Sequence, residues 1–177
     1  ALAAVEEAAQ AFDTFNLDIM YALPGQTLAQ CETDIRTALS FAPPHISIYH
    51  LTIEPNTVFA KFPPSVPEDD DAYEMLDRIT ELTAAAGMDR YEVSAYAQPG
   101  KQARHNLNYW TFGDFLGIGA GAHAKLSRPD GSISRSWKTR LPKDYLDTSK
   151  AFSAGERALS ADELPFEFLM NVLRLTD

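Results

Sequence analysis

Between Phe15 and Ala97 the apolar pattern alternates between period two and a period near 3.6, and nothing else in the chain constrains its fold as tightly. In FNLDIMYALP, alternation sets Phe15, Leu17, Ile19 and Tyr21 on one strand face and Asn16, Asp18, Met20 and Ala22 on the other. Thr27 and Gln30 then fit a capping box. The helix they open carries an apolar stripe of Leu28, Cys31, Ile35, Ala38, Leu39 and Ala42, and Pro43-Pro44 ends it. HISIYHL reads as a second strand, followed by the loop TIEPNT. After Pro67 comes a second helix with Tyr73, Leu76, Ile79, Leu82 and Ala86 on one face and Gly87 at its C′ position. MDRYEVSAYA reads as a third strand. This succession predicts an α/β fold with parallel strands and right-handed crossovers, either part of a β/α barrel or part of a doubly wound sheet.

The style changes after Pro99-Gly100, which places an expected boundary between residues 1–100 and 101–177. HNLNYWTFGDFLGIGAGAHAKL is rich in Gly, Asn and aromatics. RPDGSISRSWKTRL predicts a hairpin turning at Pro129, Asp130 and Gly131. Ser160 and Glu163 offer a second capping box before a final apolar helix, although Pro165 is better placed as its first turn. At the other end Leu2, Val5, Ala9 and Phe12 share a helical face that must cover something. With Ala1 first and an apolar stretch just before Asp177, the expectation is a piece of a larger protein.

Charge narrows the partners. The 177 residues hold 25 acidic and 15 basic side chains, a net charge of -10, which argues against nucleic acid and anionic membrane surfaces. No apolar run reaches the roughly 18 residues of a membrane span. The single cysteine, Cys31, excludes an intrachain disulfide or a cysteine-held metal cluster, and on a helix stripe it reads as core. No leader sequence is visible, so a cytoplasmic setting is expected.

Few residues stand out as chemistry. Asp18 interrupts an otherwise apolar strand, and a carboxylate there is either a structural acid or a ligand contact. His45, His50, His105 and His123 form no H-x-x-x-H or H-E-x-x-H pattern, so no protein-only zinc site is expected. The run His105-Asn106-Leu107-Asn108-Tyr109-Trp110 suits a core poorly. Either a flat ligand packs there or its amides tie an irregular loop together. Gly117, Gly119 and Gly121 form G-x-G-x-G, which is not a dinucleotide fingerprint. The acidic run Glu68 to Asp71 reads as a solvated helix start.

Taken in order, NLDIMYALPGQT, ISIYHLTIEPNT, YEVSAYAQPG, HNLNYW and GDFLGIGAGAH resemble the oxygen-independent coproporphyrinogen III oxidase family of radical SAM proteins, in its heme chaperone branch. The resemblance implies the second half of a partial (β/α)6 TIM-like barrel, plus an α+β region with a hairpin and a terminal helix. It also implies S-adenosylmethionine (SAM) and a [4Fe-4S] cluster in the full-length protein. The C-x-x-x-C-x-x-C motif that holds the cluster is absent here, so this stretch alone is expected to be inactive, with no cofactor bound. The resemblance assigns SAM contacts to Asp18, Met20, Thr52 and Tyr96, all gathered at one rim. It associates His105, Asn106, Asn108, Tyr109 and Trp110 with heme.

Three functions are then open. The parent binds heme and SAM and passes heme to an acceptor; or it oxidatively decarboxylates coproporphyrinogen III; or this stretch keeps no ligand affinity. A half barrel also leaves strand edges open, so self-association of the chain is expected.

Overall fold

In the computed structural model, which describes residues 2–176, the chain forms two compact units, 2–103 together with Thr176, and 104–175. The first contains α1 (Leu2–Ala11), β1 (Asn16–Tyr21), α2 (Leu28–Leu39), β2 (His45–His50), α3 (Val58–Lys61), α4 (Asp69–Ala85), β3 (Asp89–Glu92) and β4 (Ala95–Ala97). The second contains α5 (Arg104–Trp110), β5 (His123–Ser127), β6 (Ile133–Lys138), α6 (Pro142–Tyr145), β7 (Ser153–Ala158) and α7 (Leu164–Val172).

The first sheet has the order β1-β2-β4-β3. β1 and β2 run parallel in register from Asn16 opposite His45 to Tyr21 opposite His50. The expected third parallel strand is corrected here. MDRYEVSAYA folds back on itself at Val93-Ser94, so that β4 pairs antiparallel with both β2 and β3. The sheet is therefore mixed. A shift of register between Arg90 and Glu92 marks the bend.

α2 and α4 cover one face of this sheet. The Thr27 cap forms as its sequence predicts, with Thr27 Oγ1 accepting from Gln30 N and Gln30 Oε1 accepting from Thr27 N. Cys31, Ile35, Ile46, Ile48, Met75, Ile79, Leu82 and Tyr96 belong to one buried cluster beneath the two helices. The buried side of α4 is Ala72, Met75, Ile79, Leu82 and Thr83, and Tyr73 is largely exposed, so the expected stripe was rotated by about one residue. Gly87, at φ +75°, ends α4: its N–H bonds Ala84 O while Met88 N–H reaches back to Thr83 O. α1 buries no residue, and Leu2, with Phe12 just past its end, stays exposed.

The second unit is built on an antiparallel meander, β5-β6-β7. The β5–β6 turn lies at Pro129-Asp130-Gly131 as expected, with Asp130 Oδ1 accepting from Ser132 N–H and Ser132 Oγ–H. β7 has no counterpart in the sequence reading. Glu163 accepts from Ser160 N–H, but the helix itself starts at Leu164 with Pro165 in its first turn. HNLNYW is neither loop nor strand: it is the body of α5.

Candidate functional site

The open face of the first sheet carries Asn16 and Asp18 from β1 and His45 and Ser47 from β2. Asn16 Nδ2 donates to Asp18 Oδ1 at 2.9 Å. Asn16 Oδ1 lies 2.6 Å from His45 Nδ1 and accepts from Ser47 Oγ at 3.1 Å. His45 Nε2 sits 2.8 Å from the Tyr91 hydroxyl. His45 and Ser47 are buried, whereas Asn16, Asp18 and Met20 are exposed. A cavity of about 390 Å³ borders Asp18 and Met20 along the free side of β1, with Leu2, Val5 and Phe41 among its apolar walls.

The four residues expected to gather for SAM are not brought together. Asp18 and Met20 share the open face, as alternation predicts. Asp18 lies in mid-strand, opposite Ser47, and not at the strand's carboxyl end. Thr52 is exposed just past β2, where Leu51 N–H bonds Tyr21 O at the carboxyl ends of the parallel pair. Tyr96 corrects the expectation outright. Its side chain is 1% exposed, belongs to the helix-covered cluster, and has its hydroxyl 3.3 Å from Thr80 Oγ1 on α4. Burial pushes its phenol pKa up. It therefore faces away from Asp18. Of the residues in the network that ends at Asp18, alternation placed Asn16 on its face, while the parts of His45 and Ser47 escaped sequence reasoning. Their i, i+2 spacing in β2 was the available signal.

In the second unit α5 divides the HNLNYW run. His105, Asn108 and Tyr109 lie exposed, and Asn106, Leu107 and Trp110 are half-buried. Tyr109 packs against Phe115 with ring centroids 4.4 Å apart, and the Trp110 ring lies 4.3 Å from the Arg174 guanidinium. Asn108 works structurally. Its Nδ2 donates to Asp114 O at 2.9 Å, and its backbone O accepts from Gly113 N–H. A Cβ at position 113 would collide with the Asn108 side chain, which explains a glycine there. The loop that follows is pinned by Lys125, 2% exposed, which donates to Phe112 O and Asp114 Oδ1, both at 2.9 Å. Lys125 and Ser127 draw the Asp114 carboxyl down to a pKa of about 2.

Fit to the implied groups is uneven. Cys31 is buried on α2, its thiol pushed by burial to about 11, and no group of metal-ligating side chains occurs among the described residues. The residues here therefore do not fit an iron-sulfur cluster. Asp18 and Met20, exposed beside a cavity, fit a small polar ligand with an apolar part. His105, exposed one turn from Tyr109, fits an imidazole contact to a flat ring system. No helix is long and apolar enough to cross a membrane among the described residues.

No family model matches the chain. Among curated proteins, the chain is 48% identical over 164 residues to the heme chaperone HemW of Escherichia coli K12, covering 93% of this chain and 43% of that protein. It is 49% identical to the heme chaperone HemW of Haemophilus influenzae, over 93% of this chain and 42% of that one. It is 31% identical to that of Mycobacterium tuberculosis, over 99% and 45% respectively. The chain thus spans under half the length of the curated relatives it matches. The solved structure of coproporphyrinogen III oxidase (HemN) from Escherichia coli, a radical SAM enzyme, superposes with a TM-score of 0.77 at 16% identity, covering 97% of this chain and 43% of that one. At that identity the likeness establishes the fold.

Proposed function

We propose that the chain belongs to the heme chaperone HemW family and forms part of a protein of porphyrin metabolism that binds heme and SAM and hands heme to an acceptor. Nearly half of the aligned positions match the Escherichia coli relative over 93% of the chain, and this carries the reading. In this reading β1, α2 and β2 form a stretch of wall of a partial (β/α)6 barrel, 1–100 being its second half and 101–177 the region that follows it. The setting is cytoplasmic. Bound SAM and a [4Fe-4S] cluster would supply radical chemistry in the complete protein; the cluster's ligands lie outside this chain. Asp18 accepts hydrogen bonds from SAM, Met20 packs beside it, and Thr52 closes the strand ends. His105 and Tyr109 present the edge of α5 to heme, while Asn106, Asn108 and Trp110 hold that helix in place.

Heme titration tests the second site. Soret absorbance should saturate at one heme per chain, and His105→Ala should weaken binding about tenfold, as expected when an imidazole contact to heme is lost. Unaltered binding in the variant would remove His105 from the site, and no binding by the wild type would leave a stretch without heme affinity. The runner-up reading is oxidative decarboxylation of coproporphyrinogen III, favoured by the fold likeness. Reconstituted protein at the length of the relatives should give no robust turnover of coproporphyrinogen III; sustained turnover would replace the chaperone reading.

A further inference from the structure

The open sheet face holds a directed chain of hydrogen bonds that runs from a buried base to an exposed tip. The tip is Asp18, whose Oδ1 accepts from Asn16 Nδ2 at 2.9 Å. That contact fixes the Asn16 amide, because a nitrogen must face the carboxylate and the oxygen must face inward. Asn16 Oδ1 then takes Ser47 Oγ–H at 3.1 Å and the His45 ring at 2.6 Å. An amide oxygen only accepts, so His45 Nδ1 bears a proton whatever the charge of the ring. His45 Nε2 meets the Tyr91 hydroxyl at 2.8 Å, and that hydroxyl accepts from Ala103 N–H at 3.3 Å. His45, Ser47 and Tyr91 are 4%, 4% and 8% exposed, so the base of the chain is held by packing.

An exposed aspartate on a strand ordinarily samples several rotamers. Here Oδ1 is held by Asn16 Nδ2, which restricts the rotamers open to the carboxylate and hence the direction of Oδ2. From this geometry we propose that Asn16 and His45 are positioning residues that aim Asp18 Oδ2 at the hydroxyl or ammonium donors of SAM. The inference rests on the reading that Asp18 contacts SAM. It adds the residues that set the carboxylate's direction, which is how a preorganised acceptor gains affinity over a mobile one.

The test uses protein at the length of the HemW relatives and S-adenosylhomocysteine as the calorimetric probe. Asp18→Ala should weaken binding about tenfold, the loss of a charge-assisted hydrogen bond. Asn16→Asp keeps an acceptor for His45 and Ser47 yet sets a second acceptor against Asp18. It should lose affinity as far as Asp18→Ala does, with its melting temperature held. His45→Leu should weaken binding several-fold, and His45→Asn, whose amide nitrogen can replace the Nδ1 donor, should restore most of it. In the ¹⁵N spectrum of the wild type the His45 Nδ1 should be protonated, and the Asn16 amide protons should be split and slow to exchange. If Asp18→Ala binds as wild type does, the parent reading falls and takes this one with it. If Asp18→Ala weakens binding while Asn16→Asp does not, the positioning role alone is overturned.

Discussion

At the scale of single residues, charge and space decide the second unit. Asp114 is held below its unfolded value by Lys125 and Ser127, down to about 2. A carboxyl whose folded pKa is depressed stabilises above its unfolded pKa, about 3.9, and loses that contribution as pH falls through the folded one. Asp114→Asn should therefore melt below the wild type at pH 6, and the gap should narrow between about pH 4 and pH 2. Thermal denaturation at pH 6 and pH 2.5 checks this, and a gap of constant width would contradict it. Gly117 faces the His123 backbone so closely that an added Cβ would overlap it. Gly117→Ala should destabilise by about 2 kcal/mol or more, since backbone cannot swing aside as a side chain can; urea unfolding measures it. The residue scale is also where the sequence was half legible. Alternation placed Asp18 and Met20 correctly because β1 is uninterrupted. Tyr96 was assigned through the resemblance and not through alternation; it lies past the reversal at Val93-Ser94, and its side chain joins the helix-covered cluster.

At the scale of elements, local chemistry was readable wherever a cap or a proline enforced it. The Thr27 box, the Gly87 terminus and the Asp130-Gly131 turn all form where their residues stand. Thr27→Ala should cost about 1 kcal/mol, the usual loss when an N-cap is removed, seen as a lowered urea midpoint with an unchanged slope. A change within error would mean that α2 is held by packing alone. Helix faces were less certain. Ile79 and Leu82 sit on both the expected and the observed stripe of α4, and only the neighbours Ala72 and Met75 displace Tyr73. β7 was invisible because SAGERA is short, polar and almost wholly exposed, so its pairing with β6 comes from backbone bonds and leaves no apolar trace. α5 was hidden for a related reason. Asn residues favour turns, and the bonds of Asn108 to the following loop help to secure this stretch as a helix.

At the scale of the whole molecule, the order of secondary structure was legible, as was the parallel run of β1 and β2, but the reversal within MDRYEVSAYA was not. Period-two stretches announce strands, but their sense is set by how the connection returns, and a two-residue reversal leaves almost no composition behind. The first sheet shows its consequence at its two flanks. β1 pairs only with β2, so the backbone groups on its outer side meet no strand among the described residues. Light scattering across a concentration series should reveal self-association of the chain through such an edge, and a monomer at the highest concentration would count against it. The opposite flank differs. Thr176 donates its N–H to Tyr91 O and its hydroxyl to Arg90 O, which occupies the outer side of β3.

A ribbon blocked on one margin and bare on the other can accept a single newcomer. Two copies that meet along β1 would satisfy the outer side of that strand in both. Association through the β1 edge is therefore isologous, joining like margins of two copies.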